Sequence, residues 1–286
     1  MLKDYVRAQT VDEVLAALQK GDARVIAGGT DLILDLQAEK VSAEILVDIN
    51  SIDDLQNIEL VDGQIRIGAA VTHQQAAESQ LVLDSAPVLA EACRSVGSLQ
   101  IRNTGTVVGN VINAQPAADA AVALVALGAV AEIKTENGTA YQPVEDLYTG
   151  VGKSKIDSTK QLVTAVQFPA LLPNQGSAFI RLAQRGALAL PVLNVAVVAS
   201  LVNHKVEWVR IVMAPVAPRP LRAVEAENML RGREVNEQNI LEAAKAAAAR
   251  ANPRDSALRG SGQYRKSVLE TLVKRGLSEA FNKAQG

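Results

Sequence analysis

Two glycine-bearing stretches carry the residue types best able to hold a ligand. The first, Val25-Ile26-Ala27-Gly28-Gly29-Thr30-Asp31-Leu32, is a short apolar run ending in Gly-Gly-Thr-Asp. The second, Gly105-Thr106-Val107-Val108-Gly109-Asn110, lies within the longer run Gln100–Leu127, which turns at Pro116 and continues as an apolar segment. Glycine has no Cβ and tolerates φ > 0, so it lets another group approach the backbone. Successive N–H groups in such a turn form a concavity suited to a phosphate. Each stretch alone is equally a tight turn beside a strand. As a pair, two such loops could grip the two phosphates of a dinucleotide from opposite sides. Neither is a G-x-G-x-x-G fingerprint and no G-x-x-x-x-G-K-[ST] occurs, so neither a Rossmann nor a P-loop site is indicated.

Other chemistry is sparse. No Ser/His/Asp or Cys/His constellation emerges, and the acidic residues are too scattered to argue a carboxylate pair. The single cysteine, Cys93, reads as a buried structural thiol and cannot hold an iron–sulfur cluster, which usually takes several thiolates. His73 and His204 have no ligand-spaced partner, so no zinc motif is present. His73 is expected on the surface, in the first turn of a helix. The chain needs a binding surface, not a nucleophile.

The elements that would position these loops follow from periodicity and punctuation. Thr10-Val11-Asp12-Glu13 reads as a capping box opening a helix that Gly21 stops. Arg24–Ala27 reads as a strand, 31–39 as a short helix headed by Asp31 as N-cap, and Ile45–Ile49 as a strand. A second lobe starts with a strand at Gln64–Val71 and a capping box at Thr72-His73-Gln74-Gln75. It continues with a helix over Leu81–Arg94, a loop over Ser95–Asn103 and a helix over Asp119–Leu127. An Asn137-Gly138 turn separates strands at Ala129–Lys134 and Ala140–Gln142. Gln161–Phe168 reads as a strand and Pro169–Gly176 as a linker. Three strands follow (Phe179–Leu182, Val192–Val202, Glu207–Ala214), then helices at Leu221–Leu230, Asn236–Ala251 and Ser261–Phe281. Trp208 on the last of these strands reads as a core or interface residue. Strands first and helices after predict an α+β arrangement with helices on one sheet face.

At 286 residues the chain suits two or three domains. Hydrophobic residues at 48% and charged residues at 21% are those of an ordinary globular protein. A net charge of −2 and only 3% aromatics exclude the basic, stacking surface of a nucleic-acid binder. The longest apolar run, Ala120–Ala131, is shorter than a membrane span. With no apolar signal core near Met1-Leu2-Lys3, the expected location is cytoplasmic.

The motifs A-G-G-T-D-L at Ala27–Leu32 and I-R-N-T-G-T-V-V-G-N-V-I-N-A-Q-P-A-A-D at Ile101–Asp119 together resemble the FAD-binding subunit of the molybdenum hydroxylases. That family includes xanthine dehydrogenase, carbon monoxide dehydrogenase (medium subunit) and nicotinate dehydrogenase. F-x-R-x-x-x-R at Phe179–Arg185, A-P-x-x-L-R-A-x-E-A-E at Ala217–Glu227 and Y-R-K-S-V-L-E-T-L-V-K-R at Tyr264–Arg275 agree in order. The resemblance implies a two-lobed FAD-binding domain of the PCMH type (lobes 1–60 and 61–173) followed by an α+β C-terminal domain (177–286). It implies FAD, with the pyrophosphate between Val25–Leu32 and Thr106–Asn110, and Asp119 accepting from a flavin hydroxyl. Gly97 would sit near the cofactor. Val163 and Arg181 would be an apolar residue and a cation near the isoalloxazine. By themselves Asp119 reads equally as a first-turn helix acid, and Arg181 and Arg185 as solvated strand residues. Molybdopterin and [2Fe–2S] centres would reside on a large and a small partner subunit, and electrons would pass through FAD to NAD⁺ or another acceptor.

The sequence departs from the family pattern in places. The usual T-[IV]-G-G-N is T-V-V-G-N here, so Val108 replaces a glycine; a β-branched residue there disfavours φ > 0. Arg181 replaces the usual lysine, and Gln161 the usual acid. Val108 motivates an alternative: a structural or assembly subunit with weakened or lost FAD binding. A stand-alone flavoenzyme resembling UDP-N-acetylmuramate reductase would need a proton donor and substrate pocket, for which no residues present themselves.

Overall fold

The computed structural model describes residues 2–186 and 188–285. The chain lays down three sheets in succession. The first is parallel, in the order β1-β3-β2: β1 (Asp4–Arg7), β2 (Ala23–Ile26) and β3 (Ile45–Asp48) are linked by α1 (Val11–Gln19) and α2 (Leu32–Gln37). Parallel neighbours need such helical crossovers. Thr10 caps α1 by accepting from Glu13 N, but Glu13 Oε2 accepts from Gln9 N, so the expected box is shifted by one residue. Strand β1 was not foreseen: D-Y-V-R is short and its residues are mostly exposed, which leaves no alternation to read.

The second sheet has the order β4-β5-β10-β6-β7. It comprises β4 (Ile58–Val61), β5 (Gln64–Gly68), β6 (Val130–Thr135), β7 (Gly138–Pro143) and β10 (Leu162–Pro169), while β8 (Tyr148–Gly150) and β9 (Lys153–Ser154) pair apart. Between β5 and β6 come α3 (His73–Glu78), α4 (Gln80–Ser85), α5 (Pro87–Arg94), α6 (Leu99–Arg102), α7 (Val107–Ile112) and α8 (Asp119–Leu127). The helix expected over Leu81–Arg94 is broken before Pro87, because proline disfavours helical backbone at its predecessor; Ala86 sits at φ −156°. The expected loop after Arg94 contains α6. The 105–110 stretch is not an open turn: Thr106 Oγ1 accepts from Gly109 N and starts α7, with Val107 and Val108 buried. Every residue of α8 is buried, its first residue Asp119 included, as a helix otherwise apolar all round requires. It lies between β10 on one side and the third sheet on the other.

The third sheet, antiparallel in the order β11-β12-β13-β14, contains β11 (Gln175–Ala183), β12 (Pro191–Val202), β13 (Lys205–Ala214) and β14 (Leu221–Arg222). Helices α9 (Val224–Leu230), α10 (Glu237–Arg250) and α11 (Gly262–Gln285) follow. The helix expected from Leu221 starts later because its first residues pair with β13 as β14. Along β12 the pleat sends Val195, Val197 and Ala199 to the core shared with α9–α11. Ala196 and Val198 go to the core shared with α5 and α8, so β12 is apolar throughout because both faces are covered. Trp208 packs half-buried on that second core, with the Arg210 guanidinium 5.1 Å from its ring centroid. Among the described residues no helix is long and apolar enough to cross a membrane.

Candidate functional site

The β2 exit and the segment Gly105–Asn113 face each other across a cleft. Its walls include Arg24–Leu32, Gly105, Thr106, Val108–Asn110, Gln161–Val163 and Ser158, whose carbonyl accepts from Val25 N at 3.1 Å. The β2 exit is held in place by polar bracing. Asp48 Oδ1 accepts from Asn50 N (2.8 Å) and Nδ2 (2.6 Å), and Asn50 Nδ2 also donates to Ala27 O at 3.1 Å. Tyr5 Oη donates to the other Asp48 oxygen at 2.8 Å; burial, then that bond, raises the phenol's pKa.

The glycines earn their places by contact and conformation. A Cβ on Gly28 would lie 2.0 Å from Thr104 O, so the two loops touch backbone to backbone. Gly29 has φ +65°, which few other residues adopt at low cost. At Gly109 a Cβ would stand 2.8 Å from Thr106 Oγ1 and disturb the cap.

These constraints leave a row of donors. No described residue accepts from the N–H groups of Gly28, Gly29, Thr30, Asp31 or Leu32, and Asp31 at the head of α2 supplies no side-chain cap. On the facing loop, Val107 N donates to Val71 O, Gly109 N to Thr106 Oγ1 and Asn110 N to Thr106 O. Among the described residues, Val108 N alone of the first three helical amides has no acceptor. A concave row of open N–H groups is what a phosphate-bearing ligand requires. Asp31 at its margin has its carboxyl pKa raised, by burial and then by Asp35.

Val108 bears directly on the departure noted in the sequence. It lies inside α7, is absent from the positive-φ residues and is 2% exposed. Its backbone is unstrained and its N–H remains available. Val108→Gly is therefore expected to leave ligand affinity within about twofold. It should lower stability by at least about 1 kcal/mol, from helix propensity and a lost buried side chain; ligand titration and thermal unfolding check this. A variant that gained a ligand would contradict it.

Of the residues singled out in the sequence, Val25, Ile26, Ala27, Gly28, Gly29, Thr30, Asp31, Leu32, Thr106, Val108, Gly109, Asn110 and Val163 line the cleft. Gly97, Val107, Asp119 and Arg181 do not. Val107 is turned into the core, and Gly97 O accepts from Leu188 N at 3.1 Å. Asp119 is 5% exposed and faces β12: Asn194 Nδ2 donates to its Oδ1 at 2.7 Å, and Arg181 Nε lies 3.4 Å from the same oxygen. Burial raises the Asp119 carboxyl to about 6, against the lowering influence of Arg181 and Asn194. Arg181 also donates to Ala189 O. The Asn110 amide is committed too, its Oδ1 accepting from Ala121 N at 3.2 Å and so capping α8.

Among the cleft residues that were missed are Arg24 and His73. Arg24 donates from Nη1 to Ser158 Oγ at 2.8 Å, yet its enclosed Nε has no partner; its position just before V-I-A-G-G was the only signal. His73, expected on the surface, is buried in the cleft wall. Its capping box is present, but the first turn of α3 tucks under the Gly105 loop.

A cleft lined by open amides and a cation suits a phosphate-bearing ligand such as a nucleotide cofactor. Comparison with known proteins narrows the class. Residues 1–171 match the family model for the FAD binding domain in molybdopterin dehydrogenase, and residues 178–280 that for the CO dehydrogenase flavoprotein C-terminal domain. The chain is 30% identical to the putative xanthine dehydrogenase FAD-binding subunit of Escherichia coli (strain K12), over 99% of this chain and 97% of that protein. It is 33% identical to the 6-hydroxypseudooxynicotine dehydrogenase complex subunit alpha of Paenarthrobacter nicotinovorans, over 99% and 95%. The solved carbon monoxide dehydrogenase of Hydrogenophaga pseudoflava superposes with a TM-score of 0.92 at 28% identity, covering 99% of this chain and 98% of that one. This chain belongs to the family of FAD-binding medium subunits of xanthine dehydrogenase and carbon monoxide dehydrogenase type. It is a flavoprotein component of an oxidoreductase.

Proposed function

We propose that the chain is the FAD-carrying electron-transfer subunit of a multi-subunit molybdenum hydroxylase. The observation that carries this reading is the acceptor-less row of amides at Gly28–Leu32, set against Val108 N across one cleft. The thirteen cleft-lining residues named above hold the cofactor: the amide row and the Thr30 hydroxyl bind its diphosphate, and Val163 supplies an apolar wall. Gly97, Val107, Asp119 and Arg181 act from behind that wall, with the Asp119–Arg181 pair fixing α8 against β11. Three units serve this purpose: 1–60 and 61–173 form the cleft, and 177–286 supplies the sheet that backs it.

The isoalloxazine supplies the redox chemistry when bound, and the chain supplies position and electrostatics. Molybdopterin and [2Fe–2S] centres belong to a large and a small partner subunit, a reading supported by relatives named as medium chains and complex subunits. NAD⁺ is the acceptor we favour testing first. The unstrained Val108 supports flavin retention over a purely structural subunit.

Purifying the tagged chain from its native source tests the assembly. The expected result is a complex containing molybdenum, iron and FAD, whose absorbance near 450 nm (roughly where oxidised flavins absorb) bleaches anaerobically with NADH. Recovery of the chain alone, or of a complex with molybdenum and iron but no flavin, would count against the proposal.

A further inference from the structure

Two side chains of the cleft wall keep an enclosed nitrogen without a partner among the described residues, Arg24 at Nε and His73 at Nδ1, and only His73 has no other side-chain bond. His73 is 2% exposed, lines the cleft, and its enclosed Nδ1 has no hydrogen-bond partner. The backbone fixes it firmly: His73 N donates to Gly105 O at 3.0 Å, Thr72 closes a capping box with Gln75, and Thr72 pairs with Thr106. The ring stands against the junction of the two loops. A Cβ built on Gly105 would lie 3.7 Å from His73 Cδ2 and 3.4 Å from Thr30 Oγ1, so the imidazole and the Thr30 hydroxyl flank the same point.

The tautomer follows from the surroundings. A buried N–H without an acceptor is rarer in folded proteins than an under-used acceptor, so the ring proton belongs on Nε2. Nε2 adjoins Cδ2, on the edge turned to Gly105 and Thr30. The charged groups that line the cleft or act on the ring are Arg24 on β2, Arg102 on α6, Asp31 at the head of α2 and Asp35 on it. Arg102 is engaged, donating from Nε to Gln74 Oε1 at 2.9 Å and from Nη1 to Val96 O at 3.2 Å. Burial, then the Arg102 charge, lowers the His73 pKa to about 4, so the ring is neutral and offers one donor.

We propose that His73 is a cofactor-contacting residue that donates Nε2–H to a diphosphate oxygen of the bound dinucleotide, beside the Thr30 hydroxyl. The proposal rests on the reading of the cleft as the FAD site. It gives the imidazole a partner at Nε2 and so explains why a histidine, not an apolar residue, is kept at the loop junction although its Nδ1 stays unpaired.

The test titrates the purified chain and its His73→Leu and His73→Gln variants with FAD and separately with ADP, which carries a diphosphate but no flavin. Thermal unfolding of each ligand-free chain is measured alongside. His73→Leu is expected to bind both ligands about tenfold more weakly, the effect of losing one hydrogen bond to a charged group. Its ligand-free midpoint should be unchanged or raised. His73→Gln, which keeps a donor, should lie within about threefold of the wild type. Equal affinity in the Leu variant overturns the role of His73. So does a loss confined to FAD, or an equal loss in both variants with lowered midpoints, which marks a packing role. A wild-type chain that binds neither FAD nor ADP overturns the cleft assignment itself.

Discussion

Gly28→Ala is expected to reduce FAD affinity by tenfold or more and to destabilise the ligand-free chain by about 1–3 kcal/mol, the usual range for overpacking. The added Cβ would sit 2.0 Å from Thr104 O, 2.7 Å from Thr104 C and 2.9 Å from Gly105 Cα. All three are backbone atoms, so no side chain can swing away, and the two loops must separate. That separation displaces the Gly28–Leu32 amides from Val108 N. Gly150→Ala is the matched control: its nearest contact would be 3.5 Å away, at a lysine side chain, without positive φ. It should change neither affinity nor midpoint appreciably. Flavin titration and thermal unfolding of both variants measure the contrast.

Asp119→Ala has the second large effect, and it is one of stability. The variant strands Arg181 and Asn194 at the seam between α8 and the third sheet. Removing one member of a buried pair typically costs about 3–5 kcal/mol. Asp119→Leu combined with Arg181→Met should recover most of this, since no unpaired charge remains. Acidification gives an independent reading. The folded Asp119 pKa of about 6 lies above the unfolded value of 3.8, so between those values the folded state binds more protons than the unfolded state. The stability due to this group is fully present below the lower value, falls as pH rises, and is lost above about 6. Its span is roughly 3 kcal/mol by linkage. His73 works in the opposite sense: its folded pKa of about 4 lies below 6.5, so its contribution is present above 6.5 and lost as pH falls. These two contributions therefore oppose one another between pH 7 and 4. Asp119→Asn, with His73 uncompensated, should lose stability on acidification, read from denaturant midpoints across that range. Parallel pH profiles for the wild type and this variant would contradict the assignment.

What could be read from the sequence was local. Gly-Gly at 28–29, the Asn137-Gly138 turn, the all-apolar run of α8 and the long strands β12 and β13 declare themselves within a few residues. Turn chemistry and uniform burial leave such marks. The cleft residues of the two loops were legible for the same reason, and the family resemblance set them in order. The misses are tertiary. Arg181 and Asp119 are 62 residues apart, and nothing in either neighbourhood says that Asn194 will turn the carboxylate away from the cleft. His73 carries a correct local signal for a helix start, yet its burial depends on where the Gly105 loop passes. Thr106-Val107-Val108-Gly109 reads as an extended turn because valine favours strands, whereas a single threonine cap, with no glutamate at its third position, starts a helix there.

The most direct measurement of FAD binding by the open amides of the cleft is the absorbance spectrum of the purified chain, alone and within its assembled complex, after addition of FAD and desalting. Retained bands near 370 and 450 nm (roughly those of oxidised flavin) are expected at one flavin per chain, lost in Gly28→Ala and kept in Val108→Gly. A wild-type chain that emerges colourless both alone and in the assembled complex would contradict that binding.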